Sequence, residues 1–229
     1  MPKKELVLET FSKISNVYDH MNDIMTLGMH RDWKNLLIKE TFKFYKGSGV
    51  LDIGSGTGDL VFLINKKYPE VKKIVALDIN DNMLQKLEQK IIKNNIKNIE
   101  IIKSFAEDLP FENSSFGAVV SSYTVRNLED IESSFKEIYR VIKEPGVFGF
   151  LELSEPKILK APFWFYMDKV LPFFGKKIGC KEQYEYLGKS LRAFLTPEKI
   201  ALLLKSVGFK KVYIAKVCAG VSTIYIAVK

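Results

Sequence analysis

Val50-Leu51-Asp52-Ile53-Gly54-Ser55-Gly56-Thr57-Gly58-Asp59-Leu60, read with Ile74-Val75-Ala76-Leu77-Asp78 further on, decides how this chain folds. Apolar residues around Asp52 mark the end of a buried strand. Three glycines at alternate positions then let the backbone turn sharply and approach a ligand closely, because no Cβ stands in the way. Leu60, Val61, Leu63 and Ile64 carry the chain on as a helix. Asp78, 20 residues past Gly58, closes a second buried strand. A carboxylate at that place can accept two hydrogen bonds from a ribose diol, the arrangement of nucleotide sites on doubly wound sheets. A glycine-rich turn alone would only link a strand to a helix; the strand-end acid at this distance is what makes it a cofactor site.

The spacing is G-x-G-x-G with an acid two residues ahead, not the G-x-G-x-x-G of dinucleotide enzymes. It resembles the S-adenosylmethionine (SAM) site of class I methyltransferases. The expected fold is α/β and Rossmann-like: a seven-stranded, mostly parallel sheet with helices on both faces and an antiparallel last strand. Strands are expected at Val50–Ile53, Lys73–Asp78, Ile99–Lys103, Phe116–Ser121 and Val147–Leu153, with Lys211–Val217 and Ser222–Val228 closing as a hairpin at Ala219-Gly220. Helices are expected at Thr57–Lys67, at Asn80–Asn94 behind an asparagine cap, and at Asp130–Lys143. Pro145-Gly146 reads as a turn whose glycine supplies a positive φ. Thr196-Pro197-Glu198 starts a last helix with a capping hydroxyl, a first-turn proline and an acid, and Gly208 stops it.

We expect one methyltransferase domain over 1–229. Within it, 1–45 form an N-terminal helical flap, 46–154 the SAM-binding core, 155–191 an aromatic substrate-lid insertion, and 192–229 the C-terminal helix and hairpin. With 229 residues, 47% hydrophobic and 27% charged, the chain is an ordinary globular protein. Cys180 and Cys218 have no metal-ligand spacing and no disulfide framework. The N-terminus lacks the apolar stretch of a signal peptide, and no run is apolar enough to span a bilayer. The expected location is the cytoplasm, with the inner face of the cytoplasmic membrane left open. The net charge of +8 is spread over lysine pairs without an arginine tract, so a solvated basic surface is preferred to specific nucleic-acid binding.

Further stretches narrow the resemblance. Tyr18-Asp19-His20-Met21-Asn22-Asp23, with Thr26 through Lys34, looks like the first signature of the C-methyltransferases of ubiquinone and menaquinone biosynthesis. Phe105 to Phe111, Val125-Arg126-Asn127, Arg140 to Lys143 with Leu151 to Ser154, and Tyr184 to Leu187 with Ser190 and Arg192 resemble further segments of that family. The likeness covers nearly the whole chain. Departures are Thr26 for serine, Lys143-Glu144-Pro145-Gly146 for lysine-proline-glycine-glycine, Phe105 for asparagine, and a last strand without the usual histidine.

The resemblance implies cofactor contacts from Thr57, Asp78, Phe105, Ala106 and Ser122, besides the loop of Asp52, Gly54, Gly56 and Gly58. Asp78 would bind the ribose. Asp52 would organise the loop or meet the methionine ammonium through water, unless it only ties down backbone amides. Glu107 or Asp108 would accept from the adenine amino group. The implied reaction is methylation of a ring carbon of a prenylated quinol, demethylmenaquinol ahead of a 2-polyprenyl-6-methoxy-1,4-benzoquinol. Arg126 and Asn127 are the candidates to stabilise the phenolate, with a structural arginine as the plainer reading. On that reading Arg126→Ala loses turnover and keeps SAM affinity. His30 is a candidate base or a packing residue. Tyr18, Asn22 and Trp164 are candidate substrate residues. The insertion around Pro162–Phe174 is a lid, a dimer contact or an anchor on an anionic membrane surface. Oligomeric state, homodimer included, stays open. A nicotinamide-dependent oxidoreductase, an RNA-modifying protein and a silent SAM-binding scaffold are the competing classes; the glycine spacing counts against the first and the absent arginine tract against the second.

Overall fold

The computed structural model describes residues 8, 12, 18–177 and 179–229, with the side chains of Tyr18 and Asp19 outside the description. Two helices come first, α1 (Tyr18–Thr26) and α2 (His30–Phe42). Then β1 (Val50–Ile53), α3 (Asp59–Lys67), β2 (Ile74–Asp78), α4 (Asp81–Lys93), β3 (Ile99–Lys103) and β4 (Phe116–Ser122) alternate. A 3₁₀ turn at Val125–Asn127 leads to α5 (Ile131–Val141) and β5 (Ile142–Leu153). The aromatic stretch forms α6 (Lys160–Phe165), a π turn at Tyr166–Val170, α7 (Leu171–Lys177) and α8 (Lys181–Ala193). The chain ends with α9 (Pro197–Val207), β6 (Lys211–Val217) and β7 (Ser222–Val228).

The seven strands form one sheet in the order β3-β2-β1-β4-β5-β7-β6. β1 to β5 run parallel, and β7 alone runs against its neighbours β5 and β6. The central strands are buried on both faces, which is why they read as continuous apolar runs rather than alternating ones. Their residues still divide by the two-residue period. Val50, Ala76, Ala118, Val120 and Leu151 pack with Leu37 and Ile38 of α2, Leu60 and Ile64 of α3 and Leu187 of α8. Leu51, Val75, Val119, Phe148 and Phe150 pack on the other side with Phe135 and Ile138 of α5 and Leu204 of α9. There Phe150 and Tyr225 stack with centroids 4.5 Å apart.

The helix ends follow the local chemistry. Asn80 accepts from the Met83 amide, Asp130 from Ser133 and Thr196 from Lys199, while Gly208 closes α9 at φ +127°. The junction of α5 and β5 departs from expectation. The helix stops at Val141 rather than Lys143, and Ile142 already pairs with Phe116 before the register jumps to Ala118–Val147. Residues 143–146 therefore bulge out of the strand instead of forming a turn ahead of it. Gly146 does not have a positive φ there; what excludes a side chain is crowding, since a Cβ would fall 2.5 Å from the Lys143 carbonyl oxygen.

Candidate functional site

The strand order turns back on itself between β1 and β4, and a cleft of about 830 Å³, solvent at its mouth included, opens at the carboxyl ends of β1, β2 and β4. Such a switch point is where doubly wound sheets bind their ligands. The glycine loop forms one wall. Gly54 (φ +66°) and Ser55 donate to the Leu77 carbonyl, drawing the loop against the end of β2. Gly58 (φ +97°) begins α3. Gly56, at φ +54°, lines the cleft with no heavy atom within 4 Å of where its Cβ would stand. Its amide donates to Asp78 Oδ2 at 2.8 Å, and the Asn80 amide donates to Oδ1 at 2.9 Å. The strand-end acid thus braces the loop from across the cleft. Burial raises its pKa against the effect of these donors.

Ile79, Met83, Phe105, Ala106 and Leu128 give the cleft an apolar slot beside the acid. Glu107 lines it too, with Oε1 accepting from the Glu129 amide at 3.1 Å, whereas Asp108 is exposed. Leu8 reaches the cleft from the N-terminal segment, and Asn80 Nδ2 donates to its carbonyl and to Ser12 Oγ. Behind the loop, Asp52 is buried, and neither carboxylate oxygen has a hydrogen-bond partner among the described residues. Burial raises its pKa well above the ordinary carboxylate range; Lys34 opposes this, and Asp78 and Asp59 add to it. Lys34, itself buried, pairs with Asp59 at the start of α3 and lies 5.8 Å from the Tyr123 ring. Burial raises the Asp59 carboxyl, but the charge and hydrogen bond of Lys34, joined by the charges of Lys90 and His30, together leave it below its usual pKa.

An open glycine at positive φ, an apolar slot and unpartnered acidic oxygens behind the loop fit a nucleoside carrying a positively charged amino-acid tail. Of the residues expected at the cofactor, the cleft gathers Gly54, Gly56, Asp78, Phe105 and Ala106. Thr57 is buried next to it with its carbonyl accepting from Lys90, and Ser122 ends β4 with its carbonyl accepting from Thr124. Asn127 lines the cleft, but its neighbour Arg126 does not. The Arg126 guanidinium donates to Glu152 Oε2 at 2.7 Å, and Glu152 is 0% exposed.

His30, Asn22 and Trp164 do not line the cleft. His30 is buried, with Nε2 2.9 Å from Asp23 Oδ1; burial lowers its pKa and the Asp23 bond works the other way. Asn22 is buried in α1. Trp164 donates to Glu155 and lies under the Arg192 guanidinium at 3.9 Å. Tyr18 was expected at the substrate, and its side chain lies outside the described residues. The reading from sequence missed Thr124, Ile79 and Met83 in the cleft, and also the Lys34–Asp59 pair. Ile79 and Met83 had a signal, since they follow the strand-end acid into the first turn of α4. The pair joins residues 25 apart on separate helices and left no trace in any local pattern.

A doubly wound sheet with this loop, this strand-end acid and this cleft defines a class I SAM-dependent methyltransferase. The whole chain, residues 1–229, matches the ubiE/COQ5 methyltransferase family. It is 36% identical over 234 residues to the ubiquinone/menaquinone biosynthesis C-methyltransferase UbiE of Rickettsia prowazekii, covering 99% of this chain and 94% of that protein. Among solved structures it resembles a SAM-dependent methyltransferase of Aquifex aeolicus (TM-score 0.62, 20% identity, 85% of this chain and 88% of that one). It also resembles phosphoethanolamine N-methyltransferase 2 of Haemonchus contortus in complex with SAM (TM-score 0.67, 17% identity, 86% and 52%). The chain belongs to the ubiE/COQ5 methyltransferase family and is a SAM-dependent C-methyltransferase.

Proposed function

We propose that this enzyme methylates a ring carbon of a prenylated quinol, converting demethylmenaquinol to menaquinol. The observation that supports a quinol substrate, of either ring type, is the family match from residue 1 to residue 229, which takes in the N-terminal helices and the aromatic insertion as well as the common core. The Rickettsia relative is named for ubiquinone as well as menaquinone biosynthesis, so a benzoquinol is the second reading.

Bound SAM supplies an electrophilic methyl group. The protein's part is placement, exclusion of water and management of charge. An oxidised quinone ring is a poor carbon nucleophile; a quinol that loses a hydroxyl proton pushes electron density onto the carbon beside that oxygen. Asp78 holds the ribose and Gly56 leaves room for the chain of the cofactor. Asn127 donates to the developing phenolate. Arg126 behind it is paired with Glu152, so its charge reaches the anion only in part, and because arginine keeps its proton it does not act as the base.

A prenyl tail resides in a lipid bilayer, and the insertion supports contact with one. Ile158 is 89% exposed, Phe165 64% and Phe173 60%, and Lys157, Lys160, Lys176 and Lys177 are exposed around them. No helix among the described residues is long and apolar enough to cross a membrane. Apolar tips ringed by lysines suit an anionic interface. The protein is expected to float with anionic vesicles and not with neutral ones; failure to float with either removes the membrane contact.

The substrate is tested by incubating labelled SAM with a reduced short-chain demethylmenaquinol and, in parallel, the matched benzoquinol. Label on the naphthoquinol alone is the expected result. Label on the benzoquinol alone would replace the substrate, and label on both would mean an enzyme serving both ring types.

A further inference from the structure

Asn127 is the point where the cleft wall meets the lid segment. Its Nδ2 donates to the Tyr123 carbonyl oxygen at 3.2 Å, and its Oδ1 lies 3.0 Å from the Tyr186 hydroxyl on α8. The donor–acceptor arithmetic leaves one arrangement. A backbone carbonyl only accepts, so the amide nitrogen has to face Tyr123 and the amide oxygen has to face Tyr186. An amide oxygen only accepts in turn, so Tyr186 is bound to be the donor. Burial raises the phenol's pKa, which keeps that proton in place. The amide nitrogen carries a second hydrogen with no partner among the described residues, on a residue that lines the cleft.

The other tyrosines of the segment do something different. Tyr184 donates to the Met21 carbonyl at 3.4 Å, and the Tyr166 hydroxyl reaches the carbonyls of Ile24 and Met25 at 3.3 Å. Those bonds clasp the lid segment to α1. Tyr186 alone of the three reaches a side chain at the site.

We propose that Tyr186 is a positioning residue for the methyl transfer: its hydroxyl locks the Asn127 amide so that the second N–H is presented to the substrate oxygen, and so ties the seating of α8 to the reacting ring. The inference rests on the quinol reading above. Without the hydroxyl, the Asn127 oxygen loses its partner and only the bond from Nδ2 to the Tyr123 carbonyl still orients the amide, so the second N–H is held less firmly towards the cleft.

The test is a double-mutant cycle on the full chain, with steady-state transfer from labelled SAM to the reduced quinol. Tyr186→Phe, which keeps the ring packing, is expected to lower kcat about tenfold, the scale of one hydrogen bond, with KM and SAM affinity within about twofold. In an Asn127→Ala background the same change is expected to do nothing further. An equal loss in both backgrounds, or an unchanged kcat in the single variant, would overturn the proposal. A second readout needs no substrate: the Asn127 side-chain amide pair in a ¹⁵N spectrum, assigned by its loss in Asn127→Ala, should move in Tyr186→Phe, and an unmoved pair also overturns the link. If the wild type labels neither quinol, the substrate reading fails, and the spectrum still decides whether Tyr186 orders Asn127.

Discussion

Arg126→Ala is expected to destabilise the enzyme by about 3–5 kcal/mol, the range for breaking a buried ion pair by removing one partner. Glu152 has no exposed surface, one of its oxygens accepts from the Arg126 guanidinium at 2.7 Å, and the other accepts from the Arg126 amide at 3.2 Å. Taking away the guanidinium leaves a carboxylate in the sheet with only backbone donors. Burial already raises the Glu152 carboxyl against the pull of Arg126, so the native state binds its proton more tightly than the unfolded chain does. Stability linked to this group is therefore present at low pH and falls as pH rises from the unfolded value to the folded one. Removing Arg126 lifts the folded value further. The difference between wild type and Arg126→Ala, measured by urea unfolding, should be smaller at about pH 5 than at about pH 8. A difference that is constant with pH would mean that Glu152 is not the stranded group. The loss of turnover expected for this variant from sequence then has a structural cause that must be separated from catalysis. Arg126→Met combined with Glu152→Leu removes both charges and is expected to regain most of the stability. Turnover in that variant reports what the guanidinium does for the reaction.

The second large effect distinguishes two glycines of one loop. Gly54→Ala puts a Cβ 2.2 Å from Thr124 Oγ1 and 2.8 Å from Thr124 Cβ, on a backbone at φ +66°. The clash is with the base of a side chain that sits against the loop, so the loop or the turn after β4 has to move, at a cost of about 2–4 kcal/mol in stability. Gly56→Ala meets no heavy atom within 4 Å and carries only the conformational penalty, about 1 kcal/mol. Its methyl group stands in the cleft instead. SAM affinity is expected to fall at least tenfold while the unfolding midpoint moves little. Calorimetric titration with SAM beside thermal unfolding separates the two outcomes. Equal stability losses in both variants would contradict the assignment of Gly54 to packing and Gly56 to the cofactor.

The core of this fold was legible because its signals are local. Val50–Ile53 and Ile99–Lys103 were bounded correctly from runs of branched apolar residues closed by turn residues. Asn80 and Thr196 announced their helices by capping chemistry. The glycine loop and Asp78 could be paired across 20 residues because the β-α-β unit has a nearly fixed length. What stayed hidden depends on side chains from distant elements meeting. Arg126 reads as a polar residue at a strand end, and only the sheet reveals that Glu152 on β5 claims it. The bulge at 143–146 was missed because Pro145-Gly146 looks the same in a turn as in a strand that skips register. Asn127 could be named as a phenolate partner from its place just beyond the fourth strand, while the residue that orients it lies 59 residues on, on a separate helix, and leaves no mark in the local pattern.

The most direct measurement is the fate of the methyl group from labelled SAM when the same prenylated naphthoquinone is offered reduced and oxidised. The account predicts label on a ring carbon of the reduced form and none on the oxidised form. Label on an oxygen, or equal labelling of both forms, would contradict it.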